Sequence, residues 1–290
     1  MTLSADLMFV GGVPFLITSS RHIKLATAEF VPKRTARQLV KSLMKLVLMY
    51  GRGGFEVNLA LMNIEFEKIN DLCGLVEVST TAAREHVLEV ERMIHTVKQQ
   101  LRSVTSDFLF SPIPKMVLIH SVYYVIMMLN ALPRDQGVIG GFLLRELVTG
   151  RMINYLRDCH ATVGAYIEAS RDAMVTNGQD NITHPCVELG ASGNRQGSIK
   201  CFDLETGTVV VHKTFRTMAW PDRLIKKANA WGKKSKSPVI KEDIKFLNCH
   251  RHRFDWENDN IDRIEVIREE HKKVLPDVLA KIPGIELESD

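Results

Sequence analysis

Nowhere in this chain do two cysteines stand in a CxxC pair, and its five cysteines, Cys73, Cys159, Cys186, Cys201 and Cys249, are odd in number and scattered. That pattern excludes a disulfide framework and a cysteine-rich zinc module, and it points to a reducing compartment. The one local cluster of soft ligands, Cys249-His250-Arg251-His252, lacks a second pair at finger spacing and reads as a free thiol beside histidines. A secretory leader is also lacking, since no basic segment precedes a continuous apolar run and a small-residue cleavage site. The longest apolar run, MVLIHSVYYVIMMLNAL at 116–132, is interrupted by His120, Ser121 and Asn130 and falls short of the roughly 20 residues that cross a bilayer. Prolines at 112, 114 and 133 bracket it, as suits a buried core helix entered and left by stiff turns. These absences predict a protein of the nucleus or cytoplasm, neither secreted nor membrane-bound.

What is present is an ordinary globular composition. With 290 residues, 45% hydrophobic and 25% charged, the chain can bury one sizeable core and a smaller satellite. Residues 4–10 (SADLMFV) read as an apolar strand carrying one acid, Asp6; Gly11-Gly12 turns the chain, and residues 13–20 return as a second strand. Residues 23–30 alternate well enough to be a third. Thr35 is an N-cap for a helix over residues 36–50 that buries Leu39, Val40, Leu43, Leu46 and Val47 and ends at the GRGG of 51–54. A fourth strand, residues 55–62, follows this crossover and so joins the sheet parallel to the first, with Asn63 at its carboxyl end. A short helix at 66–75, a fifth strand at 76–80 and a long amphipathic helix at 80–105 complete the series.

That long helix organises the rest. Val87, Val90, Ile94, Val97, Leu101 and Val104 recur in steps of three and four and form one apolar stripe. Beside the stripe Glu91, His95, Lys98 and Arg102 follow the same spacing, a carboxylate at the head of a line of cations. On spacing alone this is a solvated ionic face; the order of elements before it gives it another meaning.

A β-meander followed by alternating helices and strands is the topology of ribonuclease-H-like polynucleotidyl transferases. The chain resembles the integrase core of copia-type retrotransposon polyproteins in SADLMFVGGVPFLITSSR (4–21), MNIEFE (62–67) and REHVLEVERMIHTVKQQLR (84–102), and resembles the segment after that core in LVTGRMINY (147–155), GAYIEA (164–169) and GASGNRQGSIKCFDLETG (190–207). The resemblance implies an α/β fold: a ribonuclease-H-like five-stranded mixed sheet flanked by helices, then a small β-rich module and a charged tail. It divides the chain into an integrase catalytic-core-like domain at 1–135, a connecting segment at 136–185, the β-rich module at 186–232 and a basic then acidic tail at 233–290. It also implies a truncated copy of a mobile-element polyprotein, without the His/Cys module and reverse transcriptase that flank the working core.

In such enzymes three carboxylates converge from the first strand, the end of the fourth strand and the following long helix, and hold two divalent cations. Two ions about 4 Å apart activate the attacking water or DNA 3′-hydroxyl and stabilise the leaving oxygen. Hard oxygen ligands suit Mg²⁺ or Mn²⁺. By resemblance Asp6 matches the first acid, Glu91 the last, and the two are the expected metal ligands. The second position is Asn63, in Met62-Asn63-Ile64-Glu65-Phe66, where the family has Asp. An amide offers a neutral oxygen and no charge, so DNA integration by 3′-processing and strand transfer is expected to be impaired; Glu65 or Glu67 would need a different backbone path to substitute. The alternative is a non-enzymatic protein that binds nucleic acid or pairs with intact integrase subunits.

The expected partner is DNA, both retroelement ends and target. His95, Lys98 and Arg102 would touch its backbone beside the site. From Lys213 to Arg253 the chain is strongly basic, including Lys226, Lys227, Lys233 and Lys234, and is interleaved with Trp220, Trp231 and Phe246, which suits phosphate contact with stacking. KKSKS at 233–237 fits a nuclear-import signal, and the acidic end can fold back over the basic stretch. Strand transfer at paired ends also implies a homo-oligomer, with exposed apolar surface on the 116–132 helix as its candidate interface.

Overall fold

The structure, a computed structural model, describes residues 1–74, 76–80, 87–131, 148, 150, 154–158, 162–170, 182–194 and 196–234. Strand β1 (Thr2–Val10) turns at Gly11 and Gly12, both at positive φ, into β2 (Val13–Ser20), with Val10 paired to Val13 across the turn. Two consecutive residues at positive φ make the hairpin turn that matches strand twist, which is why glycine occupies both places. β3 (Ala26–Phe30) pairs antiparallel with β2. Helix α1 (Ala36–Arg52) starts where expected, with the Thr35 hydroxyl accepting the Gln38 N–H at 3.3 Å. β4 (Leu59–Met62) then lies parallel to β1, and β5 (Glu77–Thr80) parallel to β4.

The sheet order is β3-β2-β1-β4-β5, with β2 alone running against the rest. This is the mixed five-stranded α/β sheet that the resemblance called for. The short helix between β4 and β5 is a 3₁₀ helix, Ile64–Leu72, displaced from the expected 66–75. The long helix α2 spans Leu88–Ser106; the expected start over 81–86 lies outside the described residues.

Strand alternation divides the core in two and positions the acids. Leu3, Ala5 and Leu7 of β1 pack with Leu39, Leu43, Leu46 and Tyr50 of α1 on one face. Met8 and Val10 pack with Val90, Ile94, Val97 and Leu101 of α2 on the other. Side chains alternate with period two, so Ser4 and Asp6 share the α2 face.

Helix α3 (Lys115–Ala131) packs on α2, on β3 and on a second sheet. That sheet comprises β6 (Tyr166–Ser170), β7 (Thr183–Ala191), β8 (Ile199–Asp203), β9 (Val209–His212) and β10 (Phe215–Thr217), in the order β10-β6-β7-β8-β9 with every pair antiparallel. It therefore takes in β6 from the stretch expected to connect two domains, and one continuous core joins Met8 and Val97 to Val187, Leu189 and Phe202. Helix α4 (Asp222–Lys233) follows it.

Much of α3 packs between the two sheets: Val117, Leu118, Val122 and Val125 are buried, while Tyr123, Tyr124, Met127, Met128 and Leu129 are half-buried and Met116 is exposed. The indoles of the basic stretch are half-buried. Trp220 donates to the Gly164 carbonyl at 3.2 Å and Trp231 to the Leu204 carbonyl at 2.9 Å, and both rings pack partly buried against the core. Phe246 and the tail from 235 lie outside the described residues, as do Cys159, Cys249 and the acidic end. Among the described residues no helix is long and apolar enough to cross a membrane.

Candidate active site

Asp6, Asn63 and Glu91 come together. Asp6 is carried by β1 on its α2 face, and its Oδ1 accepts the Leu7 N–H at 2.7 Å. Asn63 is the residue immediately after β4, at the carboxyl end of a strand parallel and adjacent to β1. Its amide donates a hydrogen bond to the Asp6 carboxylate, while its own Oδ1 is buried and has no hydrogen-bond partner. Glu91 stands in the first turn of α2, near enough for its charge to bear on Asp6. Open α/β sheets gather ligands at the carboxyl ends of parallel strands, and this cluster sits at such an end.

The electrostatics are those of crowded carboxylates. Burial pushes the Asp6 carboxyl up to about 7; the Leu7 N–H and Asn63 amide pull it down, and the charges of Glu91 and Glu65 push it further up. Glu65, weighed from sequence as a stand-in for the missing Asp, therefore does lie near the cluster, although it is exposed on the 3₁₀ helix.

The resident cation is Lys98. It is only 3% exposed, and burial lowers its ammonium to about 8 while the charge of Asp6 holds it up and Arg102 works against it. Sequence spacing placed Lys98 on a solvated line of cations; the structure places it inside, beside Asp6. Its helix neighbours keep the expected company. Burial lowers the His95 imidazole, and the charges of Arg102 and Lys98 add to that, so all three cations act on one another. Arg102 is exposed and His95 half-buried.

Sequence reasoning missed Glu89. Its Oε2 accepts both the Ser4 hydroxyl and the Arg21 Nε–H, each at 2.9 Å, which ties the first turn of α2 to β1 and to the end of β2. Burial works to raise Glu89, but the bonds from Arg21 and Ser4 more than offset it and leave the carboxyl below its ordinary range. Ser4 and Glu89 each lie two residues from a site acid, so this clamp sets how closely Asp6 and Glu91 approach. Its only sequence sign was a second Glu in LEVE.

The other expected cations, Lys226, Lys227, Lys233 and Lys234, belong to α4 and its C-cap. Lys226, Lys233 and Lys234 are exposed and Lys227 is half-buried. Lys234 stacks its ammonium 4.0 Å from the centre of the Trp231 ring.

No family model and no curated protein matches the chain. Among solved structures, the catalytic core domain of BIV integrase is similar over 51% of this chain and 93% of its own, at 16% identity and a TM-score of 0.37. What the site can do chemically is carried by its own residues: a strand carboxylate hydrogen-bonded by an amide whose oxygen is buried and unpartnered, a helix carboxylate close enough for its charge to reach the first, and a buried ammonium beside them.

Proposed function

We propose that this chain is a nucleic-acid-binding protein on the integrase-core plan of copia-type retrotransposon polyproteins, in which metal-dependent cleavage and joining of DNA is impaired at Asn63. The observation that carries this reading is the meeting of Asp6, Asn63 and Glu91 from β1, the end of β4 and α2, three elements far apart in the chain. The donor set fits one hard divalent cation. Asp6 and Glu91 would supply charge, and the buried, unpartnered Asn63 Oδ1 is a neutral third oxygen. Such an ion, Mg²⁺ or Mn²⁺, would polarise a phosphoryl oxygen and lower the pKa of bound water. With a neutral amide at Asn63, and Glu65 exposed on the 3₁₀ helix as the further acid whose charge reaches Asp6, a second ion would be held weakly; the expected loss is of order 4 kcal/mol in transition-state stabilisation, about a thousandfold in rate.

The chain's own residues do the rest. Asn63 orients the Asp6 carboxylate through its amide, Glu89 fixes the start of α2, and Arg102 with half-buried His95 faces the DNA backbone. Lys98, being buried, holds the carboxylates together more than it reaches for phosphate. The exposed lysines Lys226, Lys233 and Lys234 add a second basic surface for retroelement ends or target DNA. Activity on paired ends would require a homo-oligomer, for which the half-buried Met127, Met128 and Leu129 of α3 remain the candidate surface.

A second reading, a non-enzymatic DNA-binding or subunit-pairing protein, is favoured by Lys98. A buried ammonium beside Asp6 offsets the acids without any metal. Mn²⁺-dependent nicking of a labelled duplex separates the two readings, with the wild-type chain run beside Asn63→Asp and Asn63→Asp/Glu91→Gln. Activity gained by the single reversion and lost again in the double variant supports the impaired enzyme. If all three bind DNA and none nicks it, the catalytic assignment falls and the binding protein stands.

A further inference from the structure

We propose that His184, Cys186 and Asp203 form a site for one zinc-class transition-metal ion on the second sheet, independent of the acidic site on the first. His184 and Cys186 stand two residues apart on β7 and so share a face, and Asp203 on β8 is the cross-strand partner of Cys186. Their donor atoms all lie within 4.8 Å of one another. A tetrahedral ion with bonds of about 2.0–2.3 Å sets its donors roughly 3.5 Å apart, within reach of side-chain rotation from that spacing.

His184 is the member left unsatisfied without an ion, and Asp203 and Cys186 are aimed beside it. His184 is 6% exposed, and its Nδ1 is buried with no hydrogen-bond partner. Asp203 is also 6% exposed and forms no ion pair among the described residues. Its two oxygens accept the Glu205 N–H at 2.7 Å and the Thr206 hydroxyl at 2.8 Å, bonds that aim the carboxylate and leave lone pairs for a cation. Cys186 is fully buried among Ile167, Ala169 and Ile199, and its thiol hydrogen-bonds with that of Cys201 on β8. An unpartnered buried imidazole nitrogen and a buried carboxylate charge without an ion pair among the described residues are costly, and a divalent ion would satisfy both while taking the adjacent thiolate as a third ligand.

The ligand class follows from the donors. One sulfur and one imidazole select a borderline ion such as Zn²⁺ over Mg²⁺, and a single carboxylate completes three protein ligands. A further donor, His212 on β9, has its ring centre 4.8 Å from that of His184. On binding, the Cys186 thiol loses its proton to water and its sulfur lone pair goes to the metal, with no change of oxidation state. The ion staples β7 to β8 at the register where Cys186 meets Asp203.

The test uses the full chain, reduced with a phosphine, stripped with a chelator and titrated with Co²⁺ and then Zn²⁺. One equivalent of Co²⁺ is expected to give a thiolate-to-metal charge-transfer band and intense visible bands of a tetrahedral ion, all displaced by Zn²⁺. The Asp6 cluster contains no thiol and cannot give that band. Cys186→Ser should abolish it, and His184→Gln should weaken Co²⁺ binding by about tenfold or more. Cys201→Ser, Cys159→Ser and Cys249→Ser should leave it intact, the last two because Cys159-His160 and Cys249-His250-Arg251-His252 are the chain's other thiols next to imidazoles. The proposal is overturned by a band that survives Cys186→Ser, by one that Cys159→Ser or Cys249→Ser removes, or by no band in the reduced wild-type chain. Zn²⁺ should also raise the thermal midpoint of the wild type and not that of Cys186→Ser. Should the serine variant fail to fold, His184→Gln keeps the thiol and decides through affinity; unchanged affinity there sinks the site.

Discussion

Asn130 holds both backbone groups of Ala26: its Oδ1 accepts the Ala26 N–H at 3.0 Å, and its Nδ2 donates to the Ala26 carbonyl at 2.7 Å. Ala26 lies on β3, the edge of the first sheet, so these are the groups a further strand would have taken. Two turns earlier on α3 the Tyr123 hydroxyl accepts the Phe30 N–H at 3.1 Å, and the helix closes the edge against added strands. Asn130→Ala leaves two buried backbone groups unpaired and should cost about 2–4 kcal/mol by urea unfolding. Ser121→Ala removes only a bond back to the Val117 carbonyl and should stay within about 1 kcal/mol. Equal costs would mean that the edge is not held by Asn130.

His120 should make stability depend on pH. Burial, and then the charge of Lys200 on β8, hold its imidazole down to about 4. An unfolded histidine titrates near pH 6.5. The unfolded chain therefore binds the extra proton between those values. The contribution is complete above about pH 6.5 and is lost as pH falls towards 4, by up to about 3 kcal/mol. His120→Gln should flatten the stability profile across that window and leave it unchanged above it. A wild-type profile already flat there would remove histidine burial as the cause.

Asp6 and Lys98 should be coupled. Lys98→Met leaves Asp6 facing Glu91 and Glu65 without its ammonium, and Asp6→Asn leaves a buried ammonium without its carboxylate. Each single change should cost more than its share of the double change, with a coupling energy of about 1–3 kcal/mol near neutral pH. Strict additivity in a denaturant double-mutant cycle would place Lys98 outside the cluster. Arg102→Ala, at an exposed site, should change stability by less than about 0.5 kcal/mol.

Much of the first sheet was legible because its signals are local. The Gly11-Gly12 turn, the period-two pattern of β1 and the Thr35 cap each act within a few residues, and together they set Asp6 on one face and Asn63 at the end of a parallel strand. Lys98 was misplaced because helical spacing shows which residues share a face with Glu91 and not how deep the groove beside β1 runs. The anchoring of Trp220 and Trp231 was not legible because the carbonyls of Gly164 and Leu204 that take their N–H groups are distant in sequence. The meeting of His184, Cys186 and Asp203 depends on the register of β7 with β8, which shifts between Glu188 and Gly190 and has no local sign.

Gly232 offers a test in which sequence rules and packing disagree in sign. In the last turn of a helix, replacing glycine by alanine usually gains about 1 kcal/mol from helix propensity. Here α4 docks on the turn before α3: the Asn229 Oδ1 accepts the Ser111 N–H at 2.8 Å, and a Cβ on Gly232 would stand 1.9 Å from the Pro112 carbonyl oxygen and 2.6 Å from its carbon. Backbone cannot rotate aside as a side chain can, so the helix must lift and loosen the Trp231 contact with Leu204 as it does so. Gly232→Ala should therefore destabilise by about 3 kcal/mol or more, with Lys233→Ala, one exposed residue further on, changing stability by less than about 0.5 kcal/mol. Tryptophan fluorescence during urea unfolding reads both the midpoint and the environment of Trp231. A Gly232→Ala chain as stable as the wild type would show that α4 does not rest on Pro112, and with it that the exposed lysines of this helix are not held in a fixed relation to α3.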